Sequence, residues 1–525
     1  MRLLYCLICV SALSLPAGAQ PFEFLVLNAR IVDGTGNPWF RADVGISQGR
    51  IVSIGRLAGS EARQTVDARE RLLTPGFIDV HTHIESRGRF GVENNPRADN
   101  FLLDGVTTVV TGNCGGSMID LGSWFTTLEG LGLGINVASL IGHNTVREEV
   151  MGLADRAATP QDMEQMRSLV DKAMRAGAVG FSTGLLYIPG TYGDTEEVVD
   201  LAQVAAGYGG VYASHIRNQG PRLKESILEA AEIGKRNAMP VQISHLKVKG
   251  KNRWGSIGET LEMIQGLRRQ GLEITVDAYP YPRASSNLGI YLPRWALADG
   301  QAAIEARLRD PETRNRIIEG MKELLAVQGF GDYSFGTVAG YPADPNLEGK
   351  NISEINLLRG RQANLAEERE TVLEMIAAGG ASMVYHYMSQ PDVDTIYRYP
   401  STAVASDGGV REPGRGKPHP RSYGTNARVF AEYVRNRRVL SLEEAVRRMT
   451  SLPAQIFGLK NRGQVREGMQ ADLVLFDPAK VQDRATFPEP HQYSEGFDHV
   501  WVNGTLVVAN GQLTDQRSGQ IVRRQ

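Results

Sequence analysis

Eight short apolar runs recur through the middle of the chain, and several are separated by amphipathic segments. They read "LLTPGFIDVHTH", "VTTVVTGNC", "INVASLIGH", "AVGFSTGL", "VYASHIR", "VQISHLKV", "EITVDAYPY" and "TAVASDGG". Helical patterns such as 162–176 and 222–236 lie between them. Strands alternating with helices predict a parallel sheet covered on both faces, and eight of them predict a (β/α)8 barrel. A doubly wound open sheet would use similar elements. No phosphate-binding glycine fingerprint follows the first strand, however.

The two ends have a different texture. "FLVLNARIVDG", "ADVGISQGRIVSIG", "ADLVLFDP" and "HVWVNGTLVVANGQ" alternate apolar and polar residues and are broken by Gly, Asn and Asp. That pattern predicts half-buried strands. The ends are therefore expected to fold together as a small β-sandwich built from residues 20–71 and 464–525. The barrel is placed at 72–463, with an inserted subdomain at about 283–345 carrying the charged helical stretch "QAAIEARLRDPETRNRIIEGMKELLA". The segment 381–393 reads as an extra strand or loop before the last barrel strand. The fold class is α/β.

Met1–Ala19 begins with a positive Arg2, continues through an apolar stretch and ends in Ala17-Gly18-Ala19. This reads as a secretory signal, too short in its core to span a bilayer. It predicts an exported, periplasmic protein starting at Gln20, free of the membrane once the segment is removed. Of the three cysteines, Cys6 and Cys9 leave with that segment. Cys114 remains alone, so no internal disulfide is available, and a lone thiol in an oxidising compartment must be buried or bound. Hydrophobic residues make up 42% and charged residues 22% of the chain, with a formal charge of −2. The composition is that of a folded protein. No block of like charge points to nucleic acid or an anionic membrane.

The chemistry sits at strand ends, where barrels of this kind gather their active sites. His81 and His83 are two apart on a strand and so face the same side. Such a pair is a natural two-point grip for a metal, since imidazole suits zinc and related ions. An isolated His-x-His is often chance, and His215 or His245 alone is an ordinary core histidine. Four histidines at three strand ends are a pattern. Cys114 closes the second strand in "VTGNCGG". A thiolate plus two imidazoles leaves one zinc position open, the catalytic arrangement. Asp407 ends the last strand, where an acid can take a proton from bound water and return it to a leaving group. His143 and His386 are expected to form supporting hydrogen bonds. His419, His491 and His499 are expected to be structural or at the surface.

"LTPGFIDVHTH", "DGVTT" and the late Asp resemble the amidohydrolase superfamily. "TGNCG", "STGLLY", "ASHIR", "ISHLK", "DAYPY" and "HPRSYGT" resemble more narrowly its N-acyl-D-amino-acid deacylases, over about residues 22 to 510. The resemblance implies a zinc enzyme that hydrolyses small-molecule N-acyl-D-amino acids to a carboxylate and a free D-amino acid. It implies that Cys114, His215 and His245 hold a tight zinc, and that His81 and His83 form a second, weaker position. Asp407 becomes the general base and acid. Tyr187, Lys247, Tyr279 and Arg421 become the substrate-carboxylate site. The stretch from Asp407 to Arg421 is longer than the family pattern. The competing readings are a cyclic-amide hydrolase of the dihydropyrimidinase type and a non-catalytic metal-binding protein. The first is disfavoured because "AVGFSTGL" lacks the bridging lysine of those relatives. An acidic substrate side chain would require an extra cation such as Arg283 or Arg294. The apolar "NLGIYLPRWAL" favours a neutral or hydrophobic one.

Overall fold

The computed structural model describes residues 21–86 and 90–524, so the signal segment read at 1–19 lies outside the described residues. Strands from both chain ends share one nine-stranded sheet. Phe22–Ile31 pairs with Phe40–Ser47, Ala62–Asp67 and Leu72–Pro75. Leu72–Pro75 in turn pairs antiparallel with Leu473–Phe476, which joins the two ends. Asn503-Gly504 and Asn510-Gly511 close successive hairpins with both residues at positive φ. That geometry matches the right-handed strand twist and explains the Asn-Gly dipeptides. Val26, Ile31, Val44, Ile46, Leu73, Leu475 and Trp501 form a separate buried core.

Eight parallel strands make the α/β body: β1 (Phe77–Asp79), β2 (Val106–Thr111), β3 (Asn136–Ser139, resuming at Ile141–Gly142), β4 (Gly180–Gly184), β5 (Val211–His215), β6 (Val241–Ile243), β7 (Ile274–Ala278) and β8 (Thr402–Val404). Each pairs with the next in sequence. Beyond β8, Asp407 N donates to His81 O and His83 N donates to Gly408 O, at 2.8 and 2.7 Å. These strands are buried almost throughout, which is why their apolar runs are continuous rather than alternating. The helices between them are amphipathic. In Pro160–Arg175 the buried side chains Met166, Val170, Ala173 and Met174 lie on one stripe. Thr159 and Asp162 form a reciprocal capping box at its start, with Pro160 in the first turn.

Three boundaries differ from the expectation. The small sheet extends past residue 71, because Leu72–Pro75 is one of its strands and the chain crosses to the body only at Gly76. Conversely, the tail assigned to the small domain returns to the body. Gly519 bridges Leu133, and Val522 N donates to Val137 O. The insertion is also longer than 283–345. Its antiparallel sheet consists of Ala284–Asn287, Ser382–Tyr385 and Gly336–Gly340, in that order. The middle strand comes last in the chain, so the subdomain closes only near residue 385.

Candidate active site

Each predicted ligand is carried on the C-terminal end of a parallel strand or on the loop just beyond it. His81 and His83 follow β1, with ring centroids 5.4 Å apart. Cys114 follows β2, His215 ends β5, His245 follows β6 and Asp407 follows β8. Cys114, His245 and Asp407 adopt positive φ, at 53°, 35° and 51°. Non-glycine residues in this region cost of order 1–3 kcal/mol each and persist only where surrounding structure holds them. Three in one cluster mark it as a site where side-chain direction overrides backbone comfort. Gly115 lets the Cys114 loop pack closely, since a Cβ there would lie 1.9 Å from Asn144 Oδ1.

Cys114 Sγ lies 3.3 Å from His81 Nε2, 3.5 Å from His215 Nδ1 and 3.5 Å from His245 Nε2. Zinc–sulfur and zinc–nitrogen bonds of about 2.3 and 2.0–2.1 Å give a tetrahedral S···N edge of about 3.6 Å. The donor spacing therefore fits such an ion. Three ligand groups have donor atoms within 4.8 Å of one another: His81–His83–Cys114, Cys114–His215–His245 and His81–His245–Asp407. Cys114 Sγ is thus within reach of the donor atoms at both expected metal positions. Burial would raise its thiol, but His81, His245 and His215 outweigh burial and hold it well below its ordinary value. A site that favours thiolate is a site for a soft or borderline cation.

Asp407 is buried and ion-paired with Arg421 at 2.8 Å, with His83 Nε2 at 3.1 Å and His81 Nε2 at 3.6 Å. Burial would raise its carboxyl. Arg421 and His81 outweigh burial and hold it well below the usual carboxylate range. Arg421 lies 4.7 Å from the Tyr279 ring centroid and Lys247 Nζ lies 5.2 Å from it. Burial, with Lys249 nearby, pushes Lys247 well below its ordinary value. The Tyr279 hydroxyl has no hydrogen-bond partner among the described residues. The Tyr187 ring stands edge-on to His215 at 4.7 Å. All ten residues singled out in the sequence are therefore gathered at one end of the parallel strands.

The groups that orient these ligands are not among the residues the sequence singles out. Asp277 on β7 accepts the His245 backbone N–H at 2.7 Å and lies 3.4 Å from His81 Nδ1. Gln219 Nε2 reaches His245 Nδ1 at 3.1 Å. Asp79 accepts the backbone N–H groups of His81 and Ser406, and burial pushes its carboxyl up to about 6. The signal was an acid inside an apolar run, in "FIDV" and "TVDA". His419 is buried. Its Nδ1 accepts the Arg421 N–H at 3.1 Å, which leaves Nε2 to donate to Arg283 O at 3.0 Å. It therefore fixes the start of the helix that carries Arg421. His143 pairs with Glu197 at 2.7 Å and joins none of the ligand groups. His386 is exposed.

A cavity of about 1470 Å³ opens beside this cluster, bounded by Tyr187, Gln219, Lys249 and His419 on one side and by the insertion on the other. Burial pushes Lys249, on that wall, down to about 8.

A thiolate–imidazole ligand set with a carboxylate beside it, on the C-terminal ends of parallel strands, defines a metal-binding α/β protein. The family can be stated more narrowly. The Amidohydrolase family is matched over residues 64–278 and 367–508, and the chain belongs to it. A D-aminoacylase of Alcaligenes xylosoxydans xylosoxydans is 33% identical over 96% of this chain and 98% of that protein. An N-acyl-D-aspartate deacylase of the same organism is 34% identical over 95% of each. Among solved structures, a D-aminoacylase described by its binuclear metal centre superposes with a TM-score of 0.82 at 32% identity, covering 96% of this chain and 100% of that one. The N-acyl-D-glutamate deacylase of Bordetella bronchiseptica, complexed with zinc and a phosphonate mimic of the tetrahedral intermediate, gives 0.80 at 32% identity and the same coverage.

Proposed function

We propose that this chain hydrolyses N-acyl-D-amino acids to a carboxylate and a free D-amino acid, using zinc. The observation that carries the reading is Cys114 in contact with three imidazoles while Asp407 stands among the same groups. Near-full-length relatives with that activity supply the substrate class. We also infer that the eight strands close as a (β/α)8 barrel, supported by the bonds between the ends of β1 and β8, and that the nine-stranded sheet folds over as a sandwich around its own core.

Cys114, His215 and His245 hold the tight zinc in this reading, and His81 and His83 offer a second, weaker position. The bound ion supplies a Lewis acid for the acyl carbonyl and lowers the pKa of water towards about 7. Asp407 takes the proton from the attacking water and delivers it to the amine nitrogen as the C–N bond breaks. Arg421 keeps Asp407 ionised and therefore ready to accept. Tyr187, Lys247, Tyr279 and Arg421 hold the α-carboxylate. The Tyr279 hydroxyl without a partner is one donor free for it. Arg294 already donates to Thr191 Oγ1 and Arg217 O, at 2.7 and 2.9 Å. Arg283 lies over the Phe487 ring at 4.3 Å and is not part of the cavity wall. Arg294 and Lys249 do line the cavity, but so do Leu288, Ile290, Leu292 and Leu297 of the apolar segment, and on these we infer neutral or hydrophobic D-amino acids as the preferred substrates.

A screen of N-acetyl D- and L-amino acids against the zinc-loaded protein tests the function. Turnover of cyclic amides only, or of neither class, would sink it. Metal analysis after dialysis should find about one firmly bound zinc per chain, and Cys114→Ser should lose most of it. Full zinc and activity in that variant would overturn the ligand assignment. Cys114 should also resist thiol reagents until the metal is stripped. We further propose that Met1–Ala19 directs export to the periplasm and is removed. N-terminal sequencing of the natural protein should begin near Gln20, and an intact Met1 in a cytosolic fraction would refute this.

A further inference from the structure

The cavity is larger than the hydrolysis of a small acyl amino acid requires. Small-molecule pockets run to about 300–1,000 Å³, and this one holds about 1470 Å³. Lys247, Tyr279 and Arg421 are not part of its wall, whereas Tyr187, Gln219 and Lys249 are. A substrate with its carboxylate on that buried trio leaves two substituents facing the cavity, the D-side chain and the acyl group. A side chain is bounded in size. Even the largest common one, an indole, is a single two-ring group. An acyl group has no such bound. The insertion contributes Leu288, Leu297, Ile304, Leu324 and Ile376 to the wall, met by Leu153 from the body, alongside polar residues such as Arg294, Gln301 and Glu348.

We propose that the acyl group is a medium- to long-chain hydrocarbon, so that the substrate class is the N-(fatty acyl)-D-amino acids. This rests on the deacylase reading above. The reaction is the same addition of water across the amide. The C–N bond breaks, a C–O bond forms, and a fatty acid leaves with the free D-amino acid. The insertion then serves as the acyl-binding wall.

Complete burial of one methylene contributes up to about fourfold in kcat/KM. Half that gain per methylene gives roughly 60-fold from acetyl to octanoyl. The experiment measures kcat/KM for N-acetyl-, N-butanoyl-, N-octanoyl- and N-dodecanoyl-D-leucine below their micelle concentrations. A parallel series holds the acyl group at acetyl and enlarges the D-side chain. The expected result is a steep rise with acyl length. Leu297→Trp, or Val327→Trp at a more exposed point of the wall, should collapse the octanoyl-to-acetyl ratio. A flat or falling acyl series with good turnover of N-acetyl-D-leucine would overturn this inference and leave the deacylase reading standing. So would a gain confined to the side-chain series. No hydrolysis of any N-acyl-D-leucine would overturn both.

Discussion

Asp407→Asn is expected to retain zinc and to lose about 10²–10⁴ of kcat, the usual contribution of a proton-transfer group. The amide matches the carboxylate in size but cannot take a proton from water. In the present structure Asp407 is held ionised by Arg421 at 2.8 Å, in contact with His83 and His81. Removing its charge leaves the buried guanidinium without an anion, so some loss of stability accompanies the loss of turnover. Metal content and the unfolding midpoint separate the two effects. The sign of the pH dependence follows from the same pair. A carboxyl held well below its ordinary value stays ionised as pH falls through the usual carboxylate range. Its ionic contribution to stability is present above the unfolded value near 3.8 and is lost only as pH falls through the lower folded one. Activity should therefore not decline through Asp407 above about pH 4. Arg421→Ala should move that acidic limb upward. Near-normal turnover in Asp407→Asn would show that another group is the base.

Much of this site was legible because its residues break a local pattern. A histidine or acid ending an apolar run has no reason to be there on packing grounds, and His81, His215, His245 and Asp407 all stand out in that way. The lone Cys114 between glycines stood out for the same reason. What was not legible depends on conformation. The positive φ of Cys114, His245 and Asp407 is invisible where the residue is not glycine. So is the ion pair between Asp407 and Arg421, which a long loop separates in sequence. Leu72–Pro75 belongs to the small sheet although its sequence reads as a body strand, because a strand buried on both faces looks the same in either sheet. The Ser382–Tyr385 strand pairs with partners more than forty residues earlier, and no local signal reports such pairing.

A strong preference for D over L substrates, with dependence on a free α-carboxylate, is the remaining large effect. Three attachments around the α-carbon distinguish its hands. In the proposed reading the carboxylate would sit at Lys247, Tyr279 and Arg421, the acyl carbonyl at the Cys114–His215–His245 group, and the side chain in the cavity. The L-enantiomer can keep two of these only by turning its side chain into the wall. The trio is buried, each residue being 5% exposed or less, so a carboxylate placed there is shielded from water and its pairing is strong. The corresponding amide would leave cations unpaired. Charged hydrogen bonds contribute about 1.5–3 kcal/mol each, so losing one should lower kcat/KM by roughly 10- to 100-fold. Lys247→Ala should show that loss on the D-acid and almost none on the D-amide, because the amide has already forfeited the contact. Arg421→Ala should cost more than Lys247→Ala, since Arg421 also holds Asp407. Matched kinetics on D-acid, L-acid and D-amide with both variants decide the matter. Equal rates on the two enantiomers, or no penalty for the amide, would mean that the carboxylate lies elsewhere and that Arg421 serves only to balance the buried charge of Asp407.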